Sequence, residues 1–311
     1  MIEKKRDVLS LIVAVLNEEE SIDPFLTAIN EDLKDLELDL ELLFVDDGST
    51  DKTVDKIMLA AKQDQRIKCI KLSRNFGKEA AMTAGIDHAI GDAVIPIDVD
   101  LQDPPSLIHD FVYYWKKGYD TVYGMRASRK DDKRSKRASA GMFYRVFNKL
   151  SHTSIPANAG DFRLMSRRVV DAIKNMPERN RFMKGMFAWP GYPSIGVEYH
   201  RPARHVGQTK WNFWKLWNFA LDGLTSFSTW PLRVWSYIGG VIAFLSLVYM
   251  FFIVLRTIFL GVDWPGYASL MSAILFFGSI QLISIGVLGE YIGRLYIESK
   301  HRPIYIVEDI F

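Results

Sequence analysis

Asp98 and Asp100 stand one residue apart in Asp98-Val99-Asp100-Leu101-Gln102-Asp103, directly after the short apolar run 93–97. A buried strand that ends in Asp-x-Asp presents two carboxylates at its C-terminal end, where open α/β sheets bind their ligands. Two hard oxygen ligands suit Mg²⁺ or Mn²⁺, ions that keep waters and complete their shell with substrate phosphates. A polar loop after a buried strand would carry the same letters, so the assignment depends on what else reaches that end of the sheet. Asp46-Asp47-Gly48-Ser49-Thr50 closes another apolar run, with Gly48 free to make a sharp turn, and Asn17-Glu18-Glu19 closes a third. Each alone reads as a helix N-terminal cap. Three strand ends delivering acids to one lip are harder to explain by capping. No Gly-x-Gly-x-x-Gly follows the first run and no Gly-x4-Gly-Lys-Ser/Thr occurs, which excludes a dinucleotide fold and a P-loop.

The elements that must position these residues alternate. β-rich runs at 9–15, 40–45, 67–72, 93–97 and 121–124 are separated by helix-like stretches at 19–34, 52–63, 78–89 and 106–117. That rhythm predicts an α/β, doubly wound, mostly parallel sheet. The segment 126–137 holds seven Lys or Arg against two Asp. Such a run is ordinarily a solvated surface, but this one follows a strand whose end faces the same lip as Asp98, which favours contact with an anion.

Composition changes sharply along the 311 residues. Residues 234–289 carry two charged side chains, Arg256 and Asp263. The uncharged run 234–255 would reach roughly 33 Å as a helix, against a hydrocarbon core of about 30 Å. A second uncharged run covers 264–289. Two buried core helices would need another layer of protein, which the sequence does not supply, so two transmembrane helices are predicted. Before them, Trp211, Trp214 and Trp217 recur every three residues beside Lys210 and Lys215, the composition of an amphipathic interfacial helix. The expected organisation is a catalytic domain over 1–208, juxtamembrane amphipathic helices over 209–232, two spans within 233–289 and a tail over 290–311. Lys210, Lys215 and Arg233 precede the first span and Arg294, Lys300 and Arg302 follow the second, so the positive-inside rule places the large domain and both termini in the cytoplasm, at the inner membrane. The first residues contain no apolar signal core, in keeping with a first domain that is not exported. The single cysteine, Cys69, excludes an internal disulfide, and a net charge of +2 makes no case for nucleic acid.

Six stretches, in order and spacing, carry a resemblance: 11–20, 44–50, Ser73-Arg74-Asn75-Phe76-Gly77-Lys78-Glu79, 98–105, Tyr123-Gly124-Met125-Arg126, and Arg204 through Gly207-Gln208-Thr209-Lys210-Trp211. Together they resemble family 2 glycosyltransferases, in the subgroup that transfers a sugar from a nucleotide donor to a polyprenyl phosphate. Bactoprenol glucosyltransferases and dolichyl-phosphate mannose synthase are of this kind. The resemblance covers nearly the whole chain. It implies a GT-A fold and an inverting, metal-dependent transfer, most simply of glucose from UDP-glucose. By position, Asp98, Asp100 and Gln102 would hold Mg²⁺ or Mn²⁺ on the donor diphosphate. Asn17, Glu18, Asp46, Asp47 and Lys78 would bind the nucleotide, with Arg126 and Arg137 beside the phosphates. Arg204 and Lys210 would bind the lipid phosphate, and Asp161 in Gly160-Asp161-Phe162-Arg163 matches an acidic acceptor-side position. A homo-oligomer, a tetramer among the options, is also implied. Ala14 and Leu16 depart from the Pro and aromatic that relatives often carry, and Thr209 stands where Ser is common.

The physical logic agrees with that implication. A polyprenyl phosphate is an anion held at the membrane plane, so its site needs basic residues on a segment at that plane, which Arg204, Lys210 and Lys215 supply. Its phosphate already presents an anionic oxygen at neutral pH, so attack requires positioning and charge screening, with no obligatory general base. The competing readings are a membrane polysaccharide synthase, which would carry more spans and a Gln-x-x-Arg-Trp tract, a nucleotide-binding regulator without turnover, and transfer of an N-acetylhexosamine, galactose, mannose or aminoarabinose unit.

Overall fold

The computed structural model describes residues 6–126, 156, 159–179, 181–199, 230–260 and 266–311. Five strands lie where the periodicity places them, with ends shifted by at most two residues: β1 (Val8–Val15), β2 (Asp39–Asp46), β3 (Ile67–Leu72), β4 (Ala93–Pro96) and β5 (Thr121–Arg126). Helices α1 (Ile22–Asp32), α2 (Thr53–Ala61), α3 (Lys78–His88) and α4 (Ile108–Lys116) connect them. Three further strands, β6 (Ala159–Ser166), β7 (Ser194–Tyr199) and β8 (Val307–Ile310), were not anticipated. Helices α5 (Arg167–Lys174) and α6 (Met183–Ala188) complete the domain.

All eight strands form one sheet in the order β7-β5-β6-β4-β1-β2-β3-β8. The pairs β1–β2, β1–β4, β2–β3 and β5–β7 are parallel, while β6 runs antiparallel to β4 and β5, and β8 to β3. The fold is thus a GT-A-like α/β arrangement with a mostly parallel sheet. The direction of β6 matters for the site, because its first residues lie at the lip where β1, β2, β4 and β5 end.

Strand alternation builds two cores. Leu9, Leu11, Val13, Leu42 and Phe44 pack beneath α1, α2 and α4, against Phe25, Ile57 and Phe111. Ile12, Leu43, Val45 and Val94 face α3, α5 and α6, against Met82, Val169 and Met186. At the other end of the sheet from the site, buried Glu41 accepts hydrogen bonds from the Ser10 hydroxyl (2.5 Å), the Ile90 N–H (3.1 Å) and the Lys68 ammonium (2.8 Å). Those bonds and the Lys68 charge outweigh burial and hold the Glu41 carboxyl below the usual range.

Two long helices follow, α7 (Trp230–Leu260) and α8 (Tyr267–Ser299). Among the described residues one stretch, Ser269–Ser299, is long and apolar enough to cross a membrane by length and composition, and a shorter apolar stretch, Tyr237–Ser246, lies in α7. The expectation of two spans is met by that measure for one. Large apolar side chains on both helices are exposed, Phe244 and Phe259 on α7 and Leu270 and Leu282 on α8 among them. The interfacial helix expected over 209–232 lies outside the described residues up to 229, and 230–232 are the first turn of α7. The last segment is more than a tail. After α8 the chain turns back, and β8 adds to the edge of the catalytic sheet, with Cys69 and Phe311 exchanging N–H···O bonds of 3.0 and 2.8 Å.

Helix α3 reaches β1 so closely that a Cβ on Gly85 would stand 2.2 Å from Ile12 Cγ2. A methyl there overpacks a β-branched neighbour held by the sheet, an effect larger than the helix propensity gained. Gly85→Ala should therefore destabilise the protein by about 1–3 kcal/mol. A lowered thermal midpoint in detergent checks this, and an unchanged or raised one contradicts it.

Candidate active site

The loops after β1 and β2 interlock. Asn17 adopts φ 53°, and its side-chain oxygen accepts the Thr50 N–H at 2.8 Å while its own N–H donates to Ser49 Oγ at 2.9 Å. Glu18 donates its N–H to Thr53 Oγ1 (2.9 Å), and its carboxylate accepts the Ser21 hydroxyl (2.9 Å). Asp46 is fully buried, its carboxylate accepting the N–H groups of Gly48 and Ser49. Asp47, 3% exposed, accepts the N–H groups of Phe76 (2.7 Å) and Gly77 (2.9 Å). Burial raises the Asp47 carboxyl, and the two amide bonds only partly oppose it. Both aspartates sit at the expected lip, yet in this conformation they shape the loop and dock 74–77 upon it. The approach is close: Gly48 has φ 81°, and a Cβ there would lie 2.8 Å from Asn75 N.

The second group gathers where β4 ends and β6 begins. Lys78, at the start of α3, donates to Asp98 Oδ1 at 2.7 Å, and its ammonium is 3.7 Å from Asp161 Oδ2. Burial alone would lower the Lys78 pKa, but the two carboxylates outweigh it and raise it. Asp161 is the mirror case. Burial would raise its carboxyl, and Lys78, Lys184 and Arg163 together bring it below the usual range. Asp100 accepts the Gln102 N–H at 3.1 Å across a tight turn in which Leu101 takes φ 55°. Among the described residues no group of three His, Cys, Asp or Glu forms a metal cage. Asp98 and Asp100, with the Gln102 amide beside them, remain a fitting donor set for a hydrated hard cation that takes its other ligands from a diphosphate.

Arg126 ends β5 at the same lip. Its side chain hydrogen-bonds Tyr199, whose hydroxyl donates to buried Asp103 Oδ1 at 2.5 Å. Burial and Asp103 together raise the Tyr199 pKa, so the phenol stays protonated and its oxygen can accept from the arginine. Arg137, Arg204 and Lys210 lie outside the described residues.

Residues 10–174 match the model of glycosyl transferase family 2, and 230–295 match that of the GtrB C-terminal hairpin. The chain belongs to glycosyl transferase family 2. It is 54% identical over 303 residues to an uncharacterized glycosyltransferase of Synechocystis sp., covering 97% of this chain and 95% of that protein. It is 51% identical over 301 residues to the bactoprenol glucosyl transferase of Shigella phage SfV, covering 97% and 98% of the two chains. It is also 51% identical over 304 residues to the prophage bactoprenol glucosyl transferase homolog of Escherichia coli K12, covering 97% and 99%.

In this glycosyltransferase the sequence motifs omit Lys184 and Tyr199, which reach the lip from α6 and the end of β7. Asp103 and Glu79 fall inside the motif stretches without an assigned role, and Glu79 is the more instructive case. An acid in the first turn of a helix reads as a partner of the helix dipole. In the structure it is turned inward, accepts the Met183 N–H, and leaves Oε2 without a hydrogen-bond partner. Burial, then the Asp161 charge, push its carboxyl up to about 8, against Lys78 and Lys184. A carboxyl raised on folding contributes stability that is complete below its unfolded pKa and is lost as pH rises through the folded value. Thermal stability of the enzyme should fall as pH rises from the ordinary 4.5 toward about 8. Glu79→Gln should lack that slope, of up to about 1.4 kcal/mol per pH unit. Parallel pH profiles for the two proteins would show that Glu79 is an ordinary carboxylate.

Proposed function

We propose that the enzyme transfers glucose, with inversion, from UDP-glucose to undecaprenyl or another polyprenyl phosphate at the cytoplasmic face of the membrane, yielding a lipid-linked monosaccharide for cell-surface glycan modification. One observation carries the reading. A family 2 site stands on the same chain as two long, outward-apolar helices, and relatives matched over nearly their full length are named for glucosyl transfer to bactoprenol.

In this reading Asp98, Asp100 and Gln102 hold Mg²⁺ or Mn²⁺, which would supply neutralising charge to the departing diphosphate. Asn17 and Glu18 border the nucleoside, and Asp46 and Asp47 keep that pocket in shape. Arg126, fixed by Tyr199, and Arg137 attend the phosphates. Arg204 and Lys210 draw the lipid phosphate to the interface. An oxygen of that phosphate attacks the anomeric carbon while the bond to the nucleoside diphosphate breaks, its electron pair leaving on the diphosphate. No proton has to be removed from the nucleophile at neutral pH. A carboxylate held low by Lys78, Lys184 and Arg163 is a poor base, so Asp161 acts by orienting Lys78 and the donor sugar.

The membrane part of the proposal is a hairpin. The uncharged run 234–255 lies within α7 and Ser269–Ser299 within α8. The return of β8 to β3 brings the end of α8 back to the catalytic side. The connector 261–265 then lies outside the cell.

Membranes containing the enzyme, given labelled UDP-glucose and undecaprenyl phosphate, should form a labelled glucosyl lipid. Asp100→Asn should lower that rate about a hundredfold or more, since one hard ligand carries several kcal/mol of leaving-group stabilisation. Its thermal midpoint should be retained. Labelling only from another sugar nucleotide would replace glucose, and near-normal turnover of the variant would remove Asp100 from the metal. Topology has a clean test, because the single native thiol, Cys69, is buried and its pKa is pushed up to about 12 by desolvation. Gly261→Cys should react with an impermeant thiol reagent in intact cells, and Ser299→Cys should not. The reverse pattern inverts the orientation.

A further inference from the structure

A cavity of about 470 Å³ opens where the catalytic domain meets the end of α8. Its walls come from the start of α3, from residues 179–182 ahead of α6, and from the segment 297–304 that leaves α8. Five cations line it, Lys78, Arg179, Arg181, Lys300 and Arg302, against one acid, Glu79. The arginines are held in place by uncharged groups. Arg179 Nη1 donates to the Arg302 carbonyl, and Arg181 donates to the Met176 carbonyl at 3.0 Å and to Met186 Sδ at 3.6 Å. Lys300 lies over the Tyr296 ring at 4.0 Å. Among the described residues no carboxylate lies within ion-pair distance of Arg179, Arg181, Lys300 or Arg302. The acids nearby act otherwise: Glu298 accepts the Arg179 backbone N–H at 2.9 and 3.1 Å, while Asp87, Glu178 and Glu298 reach Arg181 only through their field. The Nε groups of Arg179 and Arg181 are buried without a hydrogen-bond partner. Clustered, partly desolvated cations are costly unless an anion completes them. Arginine forks match the geometry of phosphate oxygens.

Two features say which phosphate. Ile297, in the cavity wall, belongs to an outward apolar surface at the end of α8, where Leu295 and Tyr296 are also exposed. A phosphate on a hydrocarbon tail could place its head in the cavity and its tail against that surface, whereas a soluble phosphate gains nothing from it. In addition, Lys78 lines both this cavity and the crevice formed by Asp98, Asp103 and Asp161. A phosphate held here is one side chain away from the residues assigned to the donor.

We propose that this cavity seats the phosphate of the polyprenyl acceptor, held by Arg179, Arg181, Lys300 and Arg302, with Lys78 shared between acceptor and donor. The proposal rests on the acceptor class inferred above and adds ligands from the C-terminal segment to those of the Arg204–Lys210 motif. Its test uses the full chain in nanodiscs and the double variant Lys300→Gln with Arg302→Gln, whose side chains are exposed, with thermal unfolding as a folding control. The KM for undecaprenyl phosphate should rise about tenfold or more, equivalent to losing one good charged contact, while the KM for the sugar nucleotide holds. Arg181→Lys, which keeps the charge and loses the fork, should shift the acceptor KM in the same direction. Inorganic phosphate should not compete. An unchanged acceptor KM in folded variants overturns the proposal, as does a rise in the sugar-nucleotide KM instead, and competition by inorganic phosphate equal to that of the lipid would make this a site for free phosphate. If the wild type glucosylates no polyprenyl phosphate, it is the proposed function that fails. Flotation with vesicles containing undecaprenyl phosphate or phosphatidylglycerol then decides the cavity. Preference for the former, lost in the double variant, sustains it, and equal flotation overturns it.

Discussion

The Lys78 ammonium lies between Asp98 and Asp161, and the site depends on that contact. Asp98 after β4 and Asp161 in β6 meet at one lip, where their carboxylates repel each other. At an effective dielectric of about 20, unit charges about 4 Å apart interact by about 4 kcal/mol, and partial exposure reduces this. A cation between them makes the convergence tolerable. Glu41, at the opposite end of the sheet, shows the alternative: a buried acid settled by a hydroxyl, an amide and a lysine, with no part in chemistry. At the active lip one partly exposed lysine serves two acids. On the proposed function, such a pairing could be rearranged when a metal and a diphosphate arrive, because Asp98 could exchange Lys78 for a stronger partner while Asp161 keeps it.

Position of the lysine is in turn fixed by backbone. Gly77 precedes it at φ 100° and donates its N–H to Asp47, so the entry to α3 hangs from the end of β2. Asp47 thus acts on the site through Lys78, with its own carboxylate spent on amides. The same holds for Asp46 and Asn17. Loops that carry ligands must first be made rigid, and at this lip acidic and amide side chains do that work while others keep their oxygens available.

Sequence alone made the run β4-β1-β2-β3 legible because these strands are buried on both faces and read as apolar runs bounded by turn residues. It failed for β6, Ala159–Ser166, where Gly160, Asp161 and Arg163 interrupt the pattern because that strand begins in the active site. It failed for β8, Val307–Ile310, whose Glu308 and Asp309 are typical of an edge strand protected from further pairing. Asp98 and Asp100 were readable because their spacing is itself the signal. Glu79 was not, because the direction of a first-turn carboxylate depends on α6 packing over α3 through Met183, a contact about a hundred residues away in sequence that no local pattern encodes.

The unanticipated edge strand also explains how the long apolar helix and the catalytic site can keep a fixed relation. After α8 the chain is fastened at successive points: Glu298 to the Arg179 N–H, the Tyr305 hydroxyl to Asp87 at 2.9 Å, the Ile306 carbonyl to Ser73 N–H at 3.0 Å, then β8 along β3. Ser73 begins the loop that Asp47 holds and that ends at Lys78. The end of the apolar helix and the lysine between Asp98 and Asp161 are therefore mounted on one backbone frame. An acceptor confined to two dimensions must meet a donor arriving from solution within hydrogen-bonding distance, and a flexible tether would leave that meeting to diffusion. On the proposed function, a helix end stitched into the catalytic sheet would set the height of the site above the bilayer, and this geometric constraint gives a C-terminal segment with three exposed residues a reason to be ordered as a strand.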